Sequence, residues 1–280
     1  MKIGLYDSGI GGLSVLQEAY HLLPEEEYLF YADTDHVPYG LKTPDEILGF
    51  ARESVRFLVE QGVDAVVIAC NTATSVAVKP LREEYSLPII SMEPAVKPAV
   101  KLVKEMETAS NGKKPRVLVM ATPVTLREEK LRDLMRRFDD DHRVDLLAMP
   151  ELVRFAEREE FSGENVTSYL AGQFASFHVE DYGALVLGCT HFNYFKNLYH
   201  DYFPETTHLM DGNVGTVRRL ADQLGILTTE ENEREVRFRD IRELTRATTY
   251  YSSGRKVAEP EILEHFLRLH NRLEEMRPLK

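Results

Sequence analysis

A chain of 280 residues, 43% of them hydrophobic, can bury a sizeable core as one large domain or two smaller ones. Its net charge of −12 argues against a polyanion as the main partner, because a nucleic-acid site would need a local basic patch against that background. No targeting segment is visible at "MKIGLYDSG" and the apolar runs fall far short of the ~20 residues of a membrane span, so a cytoplasmic location with no membrane partner is expected.

In chain order, short apolar runs alternate with amphipathic stretches. Strands are predicted at Lys2–Tyr6, Glu27–Ala32, Ala65–Ala69 and Pro88–Met92, then at Arg116–Met120, Val144–Ala148, Ala184–Leu187 and Thr207–Met210. Between the second and third, "DEILGFARESVRFLVEQG" has apolar residues at 47, 48, 50, 51, 55, 58 and 59, a helical period that stops at Gly62. The densest basic run, "LRDLMRRFDDDHR", is interleaved with aspartates and reads as a solvated helix face. After Asp211 the chain returns through "GNVGTVRRLADQLG" and a charged run at 229–246. It ends in a strand-like "ATTYYSS" and a final helix over 258–276. This alternation predicts an α/β fold of mainly parallel sheets covered by helices on both faces.

The eight main strands divide into two sets of four. The first set ends at Asp7-Ser8, Asp33, Cys70 and Glu93, the second near Ala121-Thr122, Pro150, Cys189 and Asp211. Cys70 to Glu93 spans 23 positions and Cys189 to Asp211 spans 22. The only two cysteines of the chain therefore take matching places, which reads as two similar α/β units facing each other. The expected division is 1–96 with 211–280 as the first unit and 97–210 as the second, with the proline-bearing "EPAVKPAV" at the first crossing.

Open parallel sheets bind ligands outside the carboxyl ends of their strands, at the topological switch point. Two such edges facing each other would bring Asp7, Ser8, Asp33, Cys70, Asn71, Thr72, Cys189, Thr190 and His191 to one cleft. The glycines of "DSGIGG" either let N–H groups approach a carboxylate or phosphate, or simply make a tight strand-to-helix turn. "CNTAT" and "CTH" put hydroxyls, an amide and N–H groups at helix starts, where they serve a small anion or act as plain N-caps. Two thiols across a cleft suit proton transfer from one face of a carbon to the other, one acting as base and the other as acid. A helix N-terminus would lower a cysteine pKa toward neutrality, and Asp7 and His191 are natural partners for the thiols. No metal is expected, since a CxxC is absent and two cysteines with one nearby histidine lack zinc spacing.

The blocks "YDSGIGGLSV", "YADTDHVPYG", "VVIACNTAT", "SMEPAVKPA" and "LVLGCTHF" together resemble, in order and spacing, those of the cofactor-independent glutamate racemases of the aspartate/glutamate racemase superfamily. The resemblance covers about residues 3–215. It implies two pseudo-two-fold related α/β domains, with the active site in the cleft between them and no cofactor. It further implies that Cys70 acts on the D-enantiomer and Cys189 on the L-enantiomer, assisted by Asp7 and His191, with Asp33 and Glu157 as further candidates. Ser8, Pro38, Tyr39, Gly40, Asn71, Thr72, Thr74 and Thr190 would hold the amino acid, glutamate. A cytoplasmic homodimer supplying D-glutamate for peptidoglycan is the implied setting. Asp35-His36, and the alanine-valine of "SMEPAVKPA", depart from the common family pattern near the cleft.

Three alternatives remain open on the residues alone. Aspartate is a second substrate candidate. One cysteine could instead serve as a nucleophile, which would leave its twin unexplained. The same cleft could bind a dicarboxylate without catalysis.

Overall fold

The computed structural model describes residues 1–109, 114–229 and 240–279. Residues 230–239 of the charged run and 111–113 of the "NGKKP" stretch lie outside the described residues. The first half runs β1 (Lys2–Asp7), α1 (Leu13–Leu22), β2 (Glu27–Ala32), α2 (Pro44–Glu60), β3 (Ala65–Ile68), α3 (Asn71–Glu84), β4 (Ile89–Ser91) and α4 (Val96–Ala109). The second half continues through β5 (Arg116–Ala121), α5 (Pro123–Arg127), α6 (Glu129–Phe138), β6 (Val144–Ala148), α7 (Pro150–Glu157), α8 (Glu164–Phe174), β7 (Tyr182–Leu187), α9 (Lys196–Tyr199) and β8 (His208–Met210). The chain then returns through α10 (Asn213–Leu224), α11 (Ile241–Ala247), β9 (Thr249–Ser252), β10 (Arg255–Val257) and α12 (Pro260–Met276).

Local chemistry explains these elements. α2 opens on a capping box: Thr43 accepts the Glu46 N–H, Glu46 accepts the Thr43 N–H at 2.8 Å, and Pro44 follows where its missing N–H costs nothing. Its buried residues include Ile47, Ala51, Val55 and Leu58, on the face given by the apolar period. The basic run forms α6, of which only Leu131 is buried.

Two sheets result, ordered β10-β9-β2-β1-β3-β4 and β6-β5-β7-β8. Every pairing is parallel except β9 with β10. The first four strands lie in the order 2-1-3-4, and so do the next four when counted from β5. The two sets of four thus share one topology, not only one spacing. β9 extends the first sheet beside β2, with Phe30 opposite Tyr250.

The period-2 pattern sorts the core. Ile3, Leu5 and Phe30 of the first sheet share a cluster with Leu118, Met120, Leu185 and Leu187 of the second. The alternate residues Tyr6, Val66 and Ile68 face α2 and α3, while Val117, Val119, Ala184 and Val186 face α4. The sheets are therefore buried on both faces, which is why their strands read as unbroken apolar runs.

Three readings are corrected. β7 starts at Tyr182, two residues before the expected start. β4 and β8 are shorter than expected, at three residues each. β10 went unforeseen: Ser253 and Gly254, at φ 43° and 80°, form the two-residue turn of a hairpin, which "SSG" signals only weakly.

Candidate active site

In each sheet the strand order reverses between the first and third strands, and the crevice there is where α/β sheets hold ligands. Asp7 ends β1 and Cys70 follows β3 at the first reversal, with Tyr6 opposite Ile68 in register. Thr122 and Cys189 follow the corresponding strands at the second, with Met120 opposite Leu187.

Cys70 caps α3. Its sulfur accepts the Ala73 N–H at 3.4 Å and donates to Ser8 Oγ at 3.6 Å. Ser8 gives Asp7 Oδ1 its N–H at 2.8 Å and its hydroxyl at 3.4 Å. The other oxygen of Asp7 accepts the Gly12 N–H and, at 3.3 Å, the hydroxyl of Thr190. The carboxylate therefore joins the loop of the first cysteine to that of the second.

Cys189 precedes a 3-10 turn (Thr190–Phe195), not the α-helix start expected from the sequence. Its sulfur lies 3.6 Å from His191 Nδ1, and His191 Nε2 lies 2.5 Å from Glu157 Oε1 at the end of α7. That same Glu157 oxygen accepts the Ile10 N–H at 2.9 Å. The glycine loop is consequently shaped by the second unit. A Cβ on Gly9 would overlap the Glu157 carboxylate, and one on Gly11 would overlap His191 and Thr190. Of the two uses considered for "DSGIGG", close approach is the one seen, but its Ile10 and Gly12 donors meet Glu157 and Asp7.

Burial dominates the electrostatics. Asp7 and His191 are 0% and 1% exposed, Cys70 and Cys189 5% and 6%. Burial pushes the Cys70 thiol well above its usual range and the charge of Asp7 adds to this, while the Ala73 N–H and Ser8 oppose it. The expected lowering by the helix N-terminus is reversed here, because desolvation outweighs one N–H contact at 3.4 Å. Burial also raises Asp7, against the opposing pull of His191 and the Ser8 N–H. For His191, burial works downward, but the hydrogen bonds to Cys189 and Glu157 more than offset it and hold the ring well above the usual histidine range. An imidazolium there donates from both nitrogens.

The other expected residues fall into three groups. Asn71 is buried beside Cys70, and neither atom of its amide has a partner among the described residues. Thr72 points its hydroxyl at Thr122 (2.9 Å) and Thr125 (3.3 Å), whereas Thr74 turns back to the Ile68 carbonyl at 3.3 Å. Asp33 sits apart from the thiols in a network of its own. It accepts from Tyr39 at 2.6 Å and Ser253 at 2.9 Å and lies 2.9 Å from His36 Nδ1, while Tyr6 donates to Tyr39 at 2.8 Å. Pro38 precedes the turn holding Tyr39 and Gly40, and a Cβ on Gly40 would meet the Thr122 side chain at 2.7 Å.

Sequence reasoning missed Thr122 and Thr125. They follow the first strand of the second set as Asp7 and Ser8 follow the first strand of the first set, and that equivalence was the available signal. A cavity of about 590 Å³ is bordered by Glu18, Lys196, Asp211 and Arg277 and includes none of these residues.

The fold and site define a mainly parallel two-sheet α/β protein that holds one buried thiol at the switch point of each sheet. Residues 13–204 match the Asp/Glu/Hydantoin racemase family, and the chain belongs to it. A glutamate racemase of Lachnospira eligens is 46% identical over 282 aligned residues, covering 100% of both chains. One from Campylobacter curvus is 48% identical, covering 92% of this chain and 99% of its own. Among solved structures, glutamate racemase from Campylobacter jejuni aligns with a TM-score of 0.73 at 29% identity, over 97% of this chain and 98% of that one. The Escherichia coli enzyme, in complex with L-glutamate and the activator UDP-MurNAc-ala, gives 0.73 at 27% identity over 92% and 99%. The resemblance drawn from the five sequence blocks is borne out at the level of family and fold.

Proposed function

We propose that this chain racemises glutamate by a two-base mechanism without a cofactor, with Cys70 and Cys189 on opposite faces of the substrate α-carbon. The observation that carries this reading is the pair of buried thiols at equivalent switch points, linked through Ser8, Asp7 and Thr190. Relatives 41–48% identical bear the name glutamate racemase, which supports the substrate.

The two sides of the site differ in their surroundings. A thiol pushed upward by burial and by Asp7 starts as the proton donor, so Cys70 begins as the acid. On the other side His191 Nδ1 lies 3.6 Å from the Cys189 sulfur, a hydrogen-bonded partner for proton exchange, and that thiol is assigned the base role toward L-glutamate. L-glutamate then loses its α-proton to Cys189 and receives one from Cys70, and the reverse reaction exchanges the roles. The substrate ammonium, entering near Cys70 and Asp7, would offset the negative charge that disfavours the Cys70 thiolate.

The unpartnered amide of Asn71 and the hydroxyls of Ser8, Thr72, Thr122 and Thr190 are the groups assigned to the substrate carboxylates. Such donors count most where the α-carboxylate gains charge in the transition state, and exclusion of water strengthens them. Asp33, Pro38, Tyr39 and Gly40 border the site through Thr122 and Tyr6. Thr74 supports the Cys70 loop through Ile68.

The wider setting is proposed with it: a cytoplasmic homodimer that supplies D-glutamate for peptidoglycan, divided into 1–96 with 211–280 and 97–210. The sheet membership of the strands supports that division. No helix among the described residues is long and apolar enough to cross a membrane.

The decisive experiment incubates the pure protein with L-glutamate, and separately with L-aspartate, in D₂O without added cofactor. D-glutamate carrying deuterium at Cα is expected. If neither inversion nor exchange occurs with glutamate, the proposal fails, and exchange confined to aspartate reassigns the substrate. Cys70→Ser should abolish turnover with the fold intact.

A further inference from the structure

The 3-10 turn Thr190–Phe195 carries His191 and is preceded by Cys189. Three of its carbonyls also accept hydrogen bonds from side chains. Thr190 O accepts from Asn193 Nδ2 at 3.1 Å and Ser14 Oγ at 3.5 Å, and Phe192 O accepts the Tyr199 hydroxyl at 3.1 Å. Tyr194 O accepts from Arg272 on α12, twice, at 3.2 Å from Nε and 3.0 Å from Nη2. The same Nη2 donates to Asn197 Oδ1 at 2.7 Å.

Arg272 differs from the other partners in three ways. It is charged, and hydrogen bonds from a guanidinium are stronger than neutral ones. Its guanidinium also lies 5.6 Å from the ring of Phe161, which stacks on Tyr194 at 5.0 Å. It also comes from the last helix of the chain. Tyr194 in turn donates its hydroxyl to Ile10 O, in the glycine loop whose N–H reaches Glu157. The residue three places after His191 is thus held by the C-terminal helix at its carbonyl and by the glycine loop at its hydroxyl.

We infer that Arg272 is a positioning residue for the Cys189 side of the active site, fixing through Tyr194 the turn that aims Cys189 and His191. The assignment rests on the two-thiol reading above. Loosening the turn slows the step in which Cys189 exchanges a proton with the α-carbon and leaves the Cys70 step intact. Misplacement of a reacting group by about 1 Å can cost up to a hundredfold in rate, so a loss of about tenfold or more is expected for Arg272→Met.

The test compares wild type, Arg272→Met, Arg272→Lys and the exposed control Arg268→Met, with Cα-deuterated L- and D-glutamate in H₂O. With the L-enantiomer, Cys189 breaks the labelled bond, so a slower Cys189 step raises the isotope effect on kcat. With the D-enantiomer that bond is already broken when Cys189 delivers its proton, so the isotope effect falls or holds. The ratio of L to D isotope effects should therefore rise in Arg272→Met, rise less in Arg272→Lys, and stay put in Arg268→Met. A merely structural role would lower activity without moving the ratio, and an unchanged ratio overturns the assignment. If Arg272→Met fails to fold, as read by circular dichroism, Arg272→Lys decides the matter by the same ratio. Absence of any Cα isotope effect in wild type, with turnover surviving in both Cys70→Ser and Cys189→Ser, would instead sink the two-thiol reading, and this assignment with it.

Discussion

His191 and Glu157 meet at 2.5 Å between Nε2 and Oε1, one ring fully enclosed and one carboxylate reaching in from the end of α7. Glu157 is one of the groups that hold the His191 pKa up against burial. Glu157→Gln keeps an oxygen for the ring and for the Ile10 N–H but removes the charge. We expect the His191 pKa to drop and the alkaline limb of the pH–rate profile to move to lower pH. Turnover should fall roughly tenfold to hundredfold, less than the full worth of a general acid–base group. An unmoved pH profile would show that Glu157 does not tune His191.

Gly11 faces His191 and Thr190 so closely that a methyl group would overlap both. Gly11→Ala must push the imidazole or the glycine loop aside. A destabilisation of about 1–3 kcal/mol is expected in denaturant unfolding, typical of an overpacked site. Turnover should fall by a larger factor than that stability loss explains, because the displaced ring is the one beside Cys189. Near-normal kcat would contradict the tight fit.

Asn71 holds a buried amide with no partner among the described residues, an arrangement that costs stability unless a ligand completes it. Asn71→Leu, similar in volume, should leave stability unchanged or raise it by about 1 kcal/mol. The KM for glutamate should rise tenfold or more if the amide holds a carboxylate. A loss of stability with unchanged KM would assign Asn71 to the fold instead.

His270 is fully enclosed, and burial pushes its pKa down to about 3. Its neighbours are Gln17 Oε1, 2.5 Å from Nδ1, Tyr250 OH, 3.4 Å from Nε2, and the ring of Tyr20 at 5.2 Å. A folded-state pKa below the unfolded value of about 6.5 means that the stability from the neutral ring is present above that pH and is lost as pH falls toward 3. Between pH 6.5 and 4.5 the loss should reach about 2–3 kcal/mol. Urea unfolding across this window should show a shallower slope for His270→Gln, and parallel slopes would refute the assignment.

Much of this protein is legible along the chain. Strands buried on both faces need unbroken apolar runs, so the eight main strands and their parallel pairing stand out locally, and the family blocks mark the thiol loops. Cys70, Asn71 and Cys189 sit directly after such runs, where a strand-end position follows from order alone. The hairpin strand β10 and the 3-10 turn after Cys189 escaped, because elements of three to six residues depend on neighbours more than on propensity.

The sequence by itself determined the α/β alternation, the matched placement of two cysteines and the residues available at the strand ends. Only the tertiary structure decided what those residues do to one another. Asp7 and Thr190 lie 183 positions apart, yet share a hydrogen bond. Glu157 and His191 form a pair across 34 positions. The glycine loop is occupied by Glu157, and Thr122 and Thr125 stand against Thr72. The direction of the Cys70 shift was decided there too. A helix N-terminus can be read from the sequence, but the desolvation that overrides it exists only once two sheets close over the thiol.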